Sequence, residues 1–570
     1  MNSVTKAIKT NPITLMGLVC LMLCCVFTQS DVVLVSPMLL IGIGAILFFY
    51  VIDKRSCMST SQVVLLITIS VGVLTAFCYL LISSTNVAVT LLFMGCVFLV
   101  ALAVYWLVTK QMTWERCVFL LLAFGFLLRL SYVLYTHVWV RQHDVWNFYY
   151  GDFGGLTDQR HAQYIEYIAT HLELPSVDPT QVALSQLYHP PFHHIIAGLW
   201  LRLNLELGIP HYMAYENIQL LTLFYSVACM VIVYRILRLL GCQKWGLLVP
   251  MAIVAFHPTF IIMSGSINND LLSITLALYG VYGAIRWYRK PTAYHIVTVA
   301  LAIGFSMMTK LSGGLVAVGI GLVFLWKWFS AVYHKHALAK TIFFQFLLFG
   351  VVCVPLALWW PIRNAVLYEM PFTYVPALNE FSGQYLGEYT VSQRWFEVCE
   401  ESLKRIFMAW NNQEYASSYN EYNMFLSLFK TSVFGEFTLF FNQSTDQQEI
   451  HQFGTVCSHI LFWSNIGLIA ISLYAGIRCW FKRWAHPLTW CFTLIWLVVV
   501  FSYVQFCFSF PQACTQNFRY AVPTLLCGLV AIGYCGMIGT KWFRLAVAIV
   551  TGVFCLSSTL VYGLLGMVTM

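Results

Sequence analysis

Apolar runs of about 17 to 25 residues recur along the whole chain, and a helix needs a run of that length to cross roughly 30 Å of hydrocarbon. A backbone inside lipid has no water to satisfy its amides, so each run is expected to be helical. Composition agrees: 60% of the 570 residues are hydrophobic, 16% are aromatic and only 9% are charged, which excludes a soluble globular surface. The expected fold is therefore an all-α polytopic membrane protein, a transmembrane helical bundle of about 15 spans with extracytoplasmic amphipathic helices. Residues 13–28 follow Lys6 and Lys9 like a signal peptide, but no small-residue cleavage site precedes the next apolar run, so they read as a retained helix.

The cations give an orientation, because Lys and Arg near helix ends stay on the cytoplasmic side during insertion. With the N-terminus inside, the inner connections hold the basic clusters at 53–55, 109–116, 234–244, 286–290, 327–340, 478–484 and 540–544. The outer side then receives 83–86, 137–214, 266–270, 309–314, 362–455 and 510–520, with nearly all the carboxylates. The net charge of +8 reflects inner anchoring, and no nucleic-acid partner is implied. Most of the 19 cysteines sit in apolar runs and read as small hydrophobes. Cys399, Cys457, Cys507 and Cys514 lie in or near outer segments, where pairing is open.

Four regions follow: a four-span accessory bundle at 1–116, a membrane core at 117–361 with a first outer loop at 137–214, a long outer loop at 362–455, and closing spans at 456–570. The first outer loop holds an unusual share of the acids. The run at 117–136 delivers the chain to HVWVRQHDV, placing His143 and Asp144 just beyond the membrane surface. From Asp158 to His171, Ile165, Ile168, Ala169 and Leu172 fall on one helical face and Gln159, Gln163, Glu166 and Thr170 on another, so this helix is expected to lie flat on the bilayer. Tyr188, His189, Pro190 and Pro191 then break the chain before a second amphipathic segment with His193.

The order of an outer acid, amphipathic helices, a Tyr-His-Pro-Pro segment, an Asn-Asn-Asp turn and a Thr-Lys turn resembles the GT-C glycosyltransferases. Within them it is most similar to the bacterial dolichyl-phosphate-mannose-protein mannosyltransferase-like branch (glycosyltransferase family 39), with its aminoarabinose-transferase relatives. The likeness covers about residues 117–525 and rests on RQHDV at 141–145, YHPPFHHIIAGLW at 188–200, SGSINNDLL at 264–272, MMTKLSGG at 307–314, FGEF at 434–437 and CTQNFRY at 514–520. It implies an inverting transferase that takes a sugar from a polyprenyl-phosphate carrier and passes it to an acceptor, whether protein, lipid or cell-envelope glycan, outside a bacterial plasma membrane or in the endoplasmic reticulum of a eukaryote. Asp144 matches the first-loop acid, general base or acceptor orienter. Asp270, beside Asn269, matches a second acidic position that holds acceptor or sugar. Lys310 and Arg519, at outer ends of spans, would neutralise phosphate oxygens; Tyr188, His189 and His193 stand where further donors to the substrate belong.

The branch carries an adjacent acidic pair where this chain has His143-Asp144, which leaves Asp158 and Asp152 as rivals for the base. No DxD motif occurs in the outer loops and the branch works without metal, so no metal or other cofactor is expected, although Asp144, Asp158 and Asp270 are oxygen ligands of the type a divalent cation takes. Each residue also has a plain structural role open to it: Asp144 as solvated loop, Asp270 as cap of a helix starting at Leu271, Lys310 as a snorkelling anchor. Arg129 is as readily a structural partner as a catalytic one, and His257-Pro258 reads as a kink. The aromatic residues of 363–451, Tyr385, Tyr389, Trp395, Trp410, Tyr415, Tyr419 and Tyr422, read as resting on the membrane or walling a substrate groove. The alternatives to the transferase are a lipid-linked oligosaccharide polymerase or ligase, and a polytopic transporter or flippase.

Overall fold

The computed structural model describes residues 87–138, 160–181, 186–334, 336–372, 374–376, 380–407, 420–435 and 448–568. His143, Asp144, Asp152 and Asp158 lie outside the described residues, as do 1–86 of the accessory region and Trp410, Tyr415 and Tyr419.

The described residues are helical, apart from turns and one isolated bridge between Tyr385 and Gln512. In chain order the helices are α1 (Val87–Val108), α2 (Trp114–Tyr135), α3 (Arg160–His171), α4 (Phe192–Glu206), α5 (His211–Glu216), α6 (Gln219–Leu239), α7 (Trp245–Phe256), α8 (Pro258–Gly265), α9 (Asp270–Arg289) and α10 (Ala293–Met307). They continue as α11 (Leu315–His334), α12 (His336–Tyr368), α13 (Val391–Phe396), α14 (Glu400–Lys404), α15 (Met424–Phe434), α16 (Gln448–Arg483), α17 (Pro487–Ser509), α18 (Pro523–Ile538) and α19 (Lys541–Val568). Seven helical stretches among the described residues are long and apolar enough to cross a membrane, or eight if the bent pair α7–α8 is one span. The number of about fifteen is not confirmed: several apolar runs fold as helices too short to count alone, α10, α15 and α18 among them.

Opposite ends of the bundle gather different chemistry, as the cation pattern requires. At one end the Arg238 guanidinium approaches Glu115 at 3.9 Å, Lys327 lies over the Tyr288 ring and Arg483 over Tyr534. At the other end the segments expected outside meet one another. Trp360 Nε1 donates to the Tyr188 carbonyl at 3.2 Å, Arg363 Nη2 to that of Pro175 at 2.9 Å, and Asn269 Nδ2 to that of Thr309 at 2.9 Å.

Pro258 explains the bend of 41° between α7 and α8. Lacking an N–H, it leaves the Val254 carbonyl without its helical donor, and the extended backbone of His257 breaks the next bonds. Arg129, fully buried in α2, fills the gap: Nη2 donates to Val254 O at 2.9 Å and Nη1 donates to Ala255 O. Its Nε bonds Ser226 Oγ at 2.8 Å, while Ser558 Oγ donates to Phe256 O at 2.7 Å. Arg129 is a structural partner, and His257-Pro258 is a kink.

Helix α3, expected to turn its polar face to water, has part of that face against protein. His161 and Gln163 are buried, and Glu166 accepts from the Tyr215 hydroxyl and lies 3.4 Å from His211 Nε2. Tyr215 and His211 of α5 meet the polar face at Glu166, while α4 packs closely on the apolar one: a Cβ at Gly198 would come within 2.9 Å of Ile168 Cβ and 3.0 Å of the Ile165 carbonyl. The long outer segment likewise folds inward where it is described. Tyr389 stacks on Tyr422 at 4.2 Å, Trp395 meets Phe425 edge-on at 5.3 Å, and Ala513 N donates to the Gln384 carbonyl, so these aromatics pack on protein. All the described cysteines are free thiols, Cys399, Cys457, Cys507 and Cys514 included.

Candidate functional site

Three separated pieces of chain build an ionic site at the acid-rich end of the bundle. The first is the turn into α9. Asn268 Oδ1 accepts from the Asp270 N–H at 3.1 Å, His193 Nε2 donates to the Ile267 carbonyl at 2.8 Å, and Asn269 Nδ2 ties the turn to Thr309. This network starts the helix at Asp270, one residue before the expected Leu271. It also frees the Asp270 carboxylate from capping, since the residue before the helix makes no side-chain cap bond.

The second piece is the link from α10 to α11, where a 3-10 turn at Leu311–Gly314 follows Lys310. Gly313 permits that turn, because a Cβ there would fall 2.1 Å from Ser306 Oγ and 2.6 Å from Ser273 Oγ. Lys310 Nζ is thereby brought to Asp270 Oδ1 in a salt bridge with side chains only 15% and 5% exposed. Lys310 is consequently not a snorkelling anchor. The third piece is the turn before α18. Asn517 Oδ1 accepts from Arg519 N at 2.9 Å, and Arg519 Nε stands 3.9 Å from the second Asp270 oxygen. The Tyr520 ring lies under both cations, 5.0 Å from Lys310 Nζ and 5.1 Å from the Arg519 guanidinium carbon, and its hydroxyl bonds Arg519 Nη2 at 3.0 Å.

Histidines form the wall beside this cluster. His161 Nδ1 and His194 Nε2 are 2.9 Å apart, and the His161 ring stacks on both His194 and His189. Tyr188 packs against His189 at 4.1 Å. Burial lowers the His189 imidazole well below its usual range, and the charges of Lys310, then His161 and Arg519, lower it further. His193 is pushed down to about 4, chiefly by burial, against a raising effect of its bond to Ile267 and of Asp270. With His189 and His193 held neutral, Lys310 and Arg519 set two cations against the one carboxylate of Asp270. Such a site favours an anion, and its flat, fixed guanidinium and mobile ammonium suit phosphate oxygens. The Nδ1 of His193 and Oδ1 of Asn269 are buried without a protein partner. Among the described residues no group of three or more His, Cys, Asp and Glu side chains is arranged to hold a metal ion.

Asn269, Asp270, Lys310 and Arg519 thus gather at one site, with Tyr188, His189 and His193 forming its wall, while His143, Asp144 and Asp158 lie outside the described residues. The sequence reading missed Tyr520, His161 and His194. CTQNFRY carried a signal for Tyr520, adjacent to the chosen Arg519, whereas His161 and His194 were given no role. It missed also the buried pair of Glu421 and Lys430, whose Nζ and Oε2 are 2.6 Å apart at zero exposure. Ser402 Oγ and Asn423 N both donate to Glu421 Oε1 at 3.2 Å.

Fold and site define a multi-pass membrane protein, helical among its described residues, with a cationic cluster at one end. Residues 153–365 match the family model of dolichyl-phosphate-mannose-protein mannosyltransferase, and over that stretch the resemblance read from the sequence is borne out. The stretch includes Asp270 and Lys310 with the histidine wall, begins beyond His143 and Asp144, and ends before Arg519. None of the curated proteins compared with the chain matches it. Among solved structures, the crystal structure of ArnT from Cupriavidus metallidurans bound to undecaprenyl phosphate is similar to it at 14% identity and a TM-score of 0.32, covering 75% of this chain and 78% of that one.

Proposed function

We propose that this protein is a glycosyltransferase that moves a sugar from a polyprenyl-phosphate carrier to an acceptor on the extracytoplasmic face, with inversion. The observation that carries the reading is the convergence of Lys310 and Arg519, more than two hundred positions apart in the sequence, on one carboxylate within a bundle whose residues 153–365 match the mannosyltransferase family. In this reading Lys310 and Arg519 take the oxygens of the leaving phosphate as negative charge builds on it. Asp270 is a positioning residue that holds both cations, and Tyr188, His189 and His193 line the donor's head. Asp144 accepts the acceptor's hydroxyl proton as the new carbon–oxygen bond forms and the bond to phosphate breaks, with Asp158 as the rival base. The two cations supply the charge stabilisation, so the proposal invokes no metal or cofactor. It places the protein in a bacterial plasma membrane, or in the endoplasmic reticulum of a eukaryote, and leaves protein, lipid and envelope glycan as acceptor classes.

The test is transfer of label from a panel of radiolabelled polyprenyl-phosphate sugars to host membrane extract, using full-length protein in nanodiscs. Wild type should label an acceptor, and Lys310→Met and Asp144→Asn should each lower the rate about a hundredfold or more. No transfer from any monophosphate donor by folded wild type overturns the reading in favour of a diphosphate-linked donor or transport.

A further inference from the structure

The opposite end of the bundle holds a cavity of about 550 Å³ between α16, α17 and α18, far from the ionic site in the fold. Its size is that of a pocket for a single organic ligand, and its lining is mostly apolar. Leu473, Ile477 and Phe481 of α16 and Leu497 of α17 line it while remaining exposed, so it opens sideways onto the apolar belt of the bundle. At its polar edge stands Arg483, whose guanidinium lies 4.1 Å above the Tyr534 ring, with Arg478 and Lys482 on the same turns of α16. Among the described residues none of these three cations has a carboxylate within ion-pair distance, unlike Arg202, Lys310, Arg405 and Lys430. Trp480 packs on Trp490 at 4.3 Å, and Trp490 Nε1 donates to the Trp484 carbonyl, which gives the edge the aromatic girdle typical of headgroup depth.

We infer that this cavity binds an anionic glycerophospholipid of the cytoplasmic leaflet, one acyl chain entering between α16 and α17 and the phosphate resting on Arg483, Arg478 and Lys482. The charge complementarity selects the lipid. Arg483 sits at the rim with Arg478 and Lys482 on the same turns of α16, none of them paired with a carboxylate among the described residues, and the leaflet that faces basic segments is the anionic one. An apolar chain fits the interior, whose lining is mostly apolar, with Ser472, Thr489 and Thr493 as its hydroxyl groups beside Tyr534. The site does not depend on the glycosyltransferase reading.

The test is native mass spectrometry of the detergent-purified full-length protein titrated with palmitoyl-oleoyl-phosphatidylglycerol, with phosphatidylcholine of the same chains, and with undecaprenyl phosphate. Wild type should retain phosphatidylglycerol in preference to the other two. Arg483→Gln should weaken that retention about fivefold, the loss expected on removing one cation near an anionic surface. Gly476→Phe fills the cavity: a Cβ at Gly476 meets nothing within 4 Å, so the backbone accommodates the ring. It should abolish retention while leaving the unfolding temperature unchanged. Equal retention of phosphatidylcholine, a preference for undecaprenyl phosphate, or phosphatidylglycerol binding that survives Gly476→Phe in folded protein each overturns the inference.

Discussion

Replacing Arg129 with Met tests the account of the broken helix pair. The substitution keeps an unbranched apolar stem in α2 and removes the donors that reach Val254 O and Ala255 O. Gly125 O, a third acceptor of Arg129, keeps its ordinary helical donor and is left out of the reckoning. Two carbonyls are then orphaned in a region without water, each at about 1–3 kcal/mol, so the predicted loss is about 2–6 kcal/mol. It is measured as the shift in SDS-induced unfolding in mixed micelles, followed by circular dichroism. Pro258→Ala returns an amide near Val254 O, so in that background Arg129→Met should cost less than in wild type. A loss under about 1 kcal/mol, with or without Pro258, would refute the view that Arg129 stands in for the missing backbone donors. A large loss that is the same in both backgrounds would keep Arg129 as structural but remove proline as the reason for it.

Three other outcomes follow from the same structure. His193 titrates near 4 when folded and near 6.5 when unfolded, so the unfolded chain binds more protons between those values and stability falls as pH drops through that window, by about 3 kcal/mol for this group alone; His193→Gln, which keeps a donor for Ile267 O, should flatten an unfolding-midpoint profile from pH 6.5 to 4. Glu421→Gln removes the carboxylate that faces Lys430 at zero exposure and should cost about 3–5 kcal/mol, whereas Glu421→Gln combined with Lys430→Met should recover much of it, as read by thermal unfolding in detergent. Gly198→Val drives a side chain into Ile168 and the Ile165 carbonyl, and should expose α3 to limited proteolysis while leaving the far end of the bundle protected.

The sequence by itself determined the material of this protein and its polarity. Apolar run lengths called for helices in a bilayer, because a single run of 17 to 25 residues satisfies its own amides there only as a helix, a barrel strand being about half as long. The alternation of basic clusters separated two ends, and the residues assigned to each end do meet: Arg238 with Glu115 at one, Asp270 with Lys310 and Arg519 at the other. Residue type and position were enough for these, since Asn269-Asp270 and Thr309-Lys310 stand at the ends of long apolar runs where a helix must turn. Pro258 likewise announced its own kink.

Only the tertiary structure decided which polar groups are buried and what pairs with what. Helix α3 has a polar face that any periodicity assigns to water, yet Gln163 is buried there and Glu166 meets Tyr215 and His211 of α5, while α4 packs on the opposite face, where Gly198 lets the two backbones approach. Periodicity records where polar side chains point along one helix and carries no record of what packs there. Arg129 reads in sequence as an isolated charge in a span; the carbonyls of Val254 and Ala255 that it reaches lie about 125 positions away and leave no trace in residue identity. The same holds for the cavity between α16, α17 and α18, since space left between helices depends on how all of them pack, and no single run of the sequence contains it.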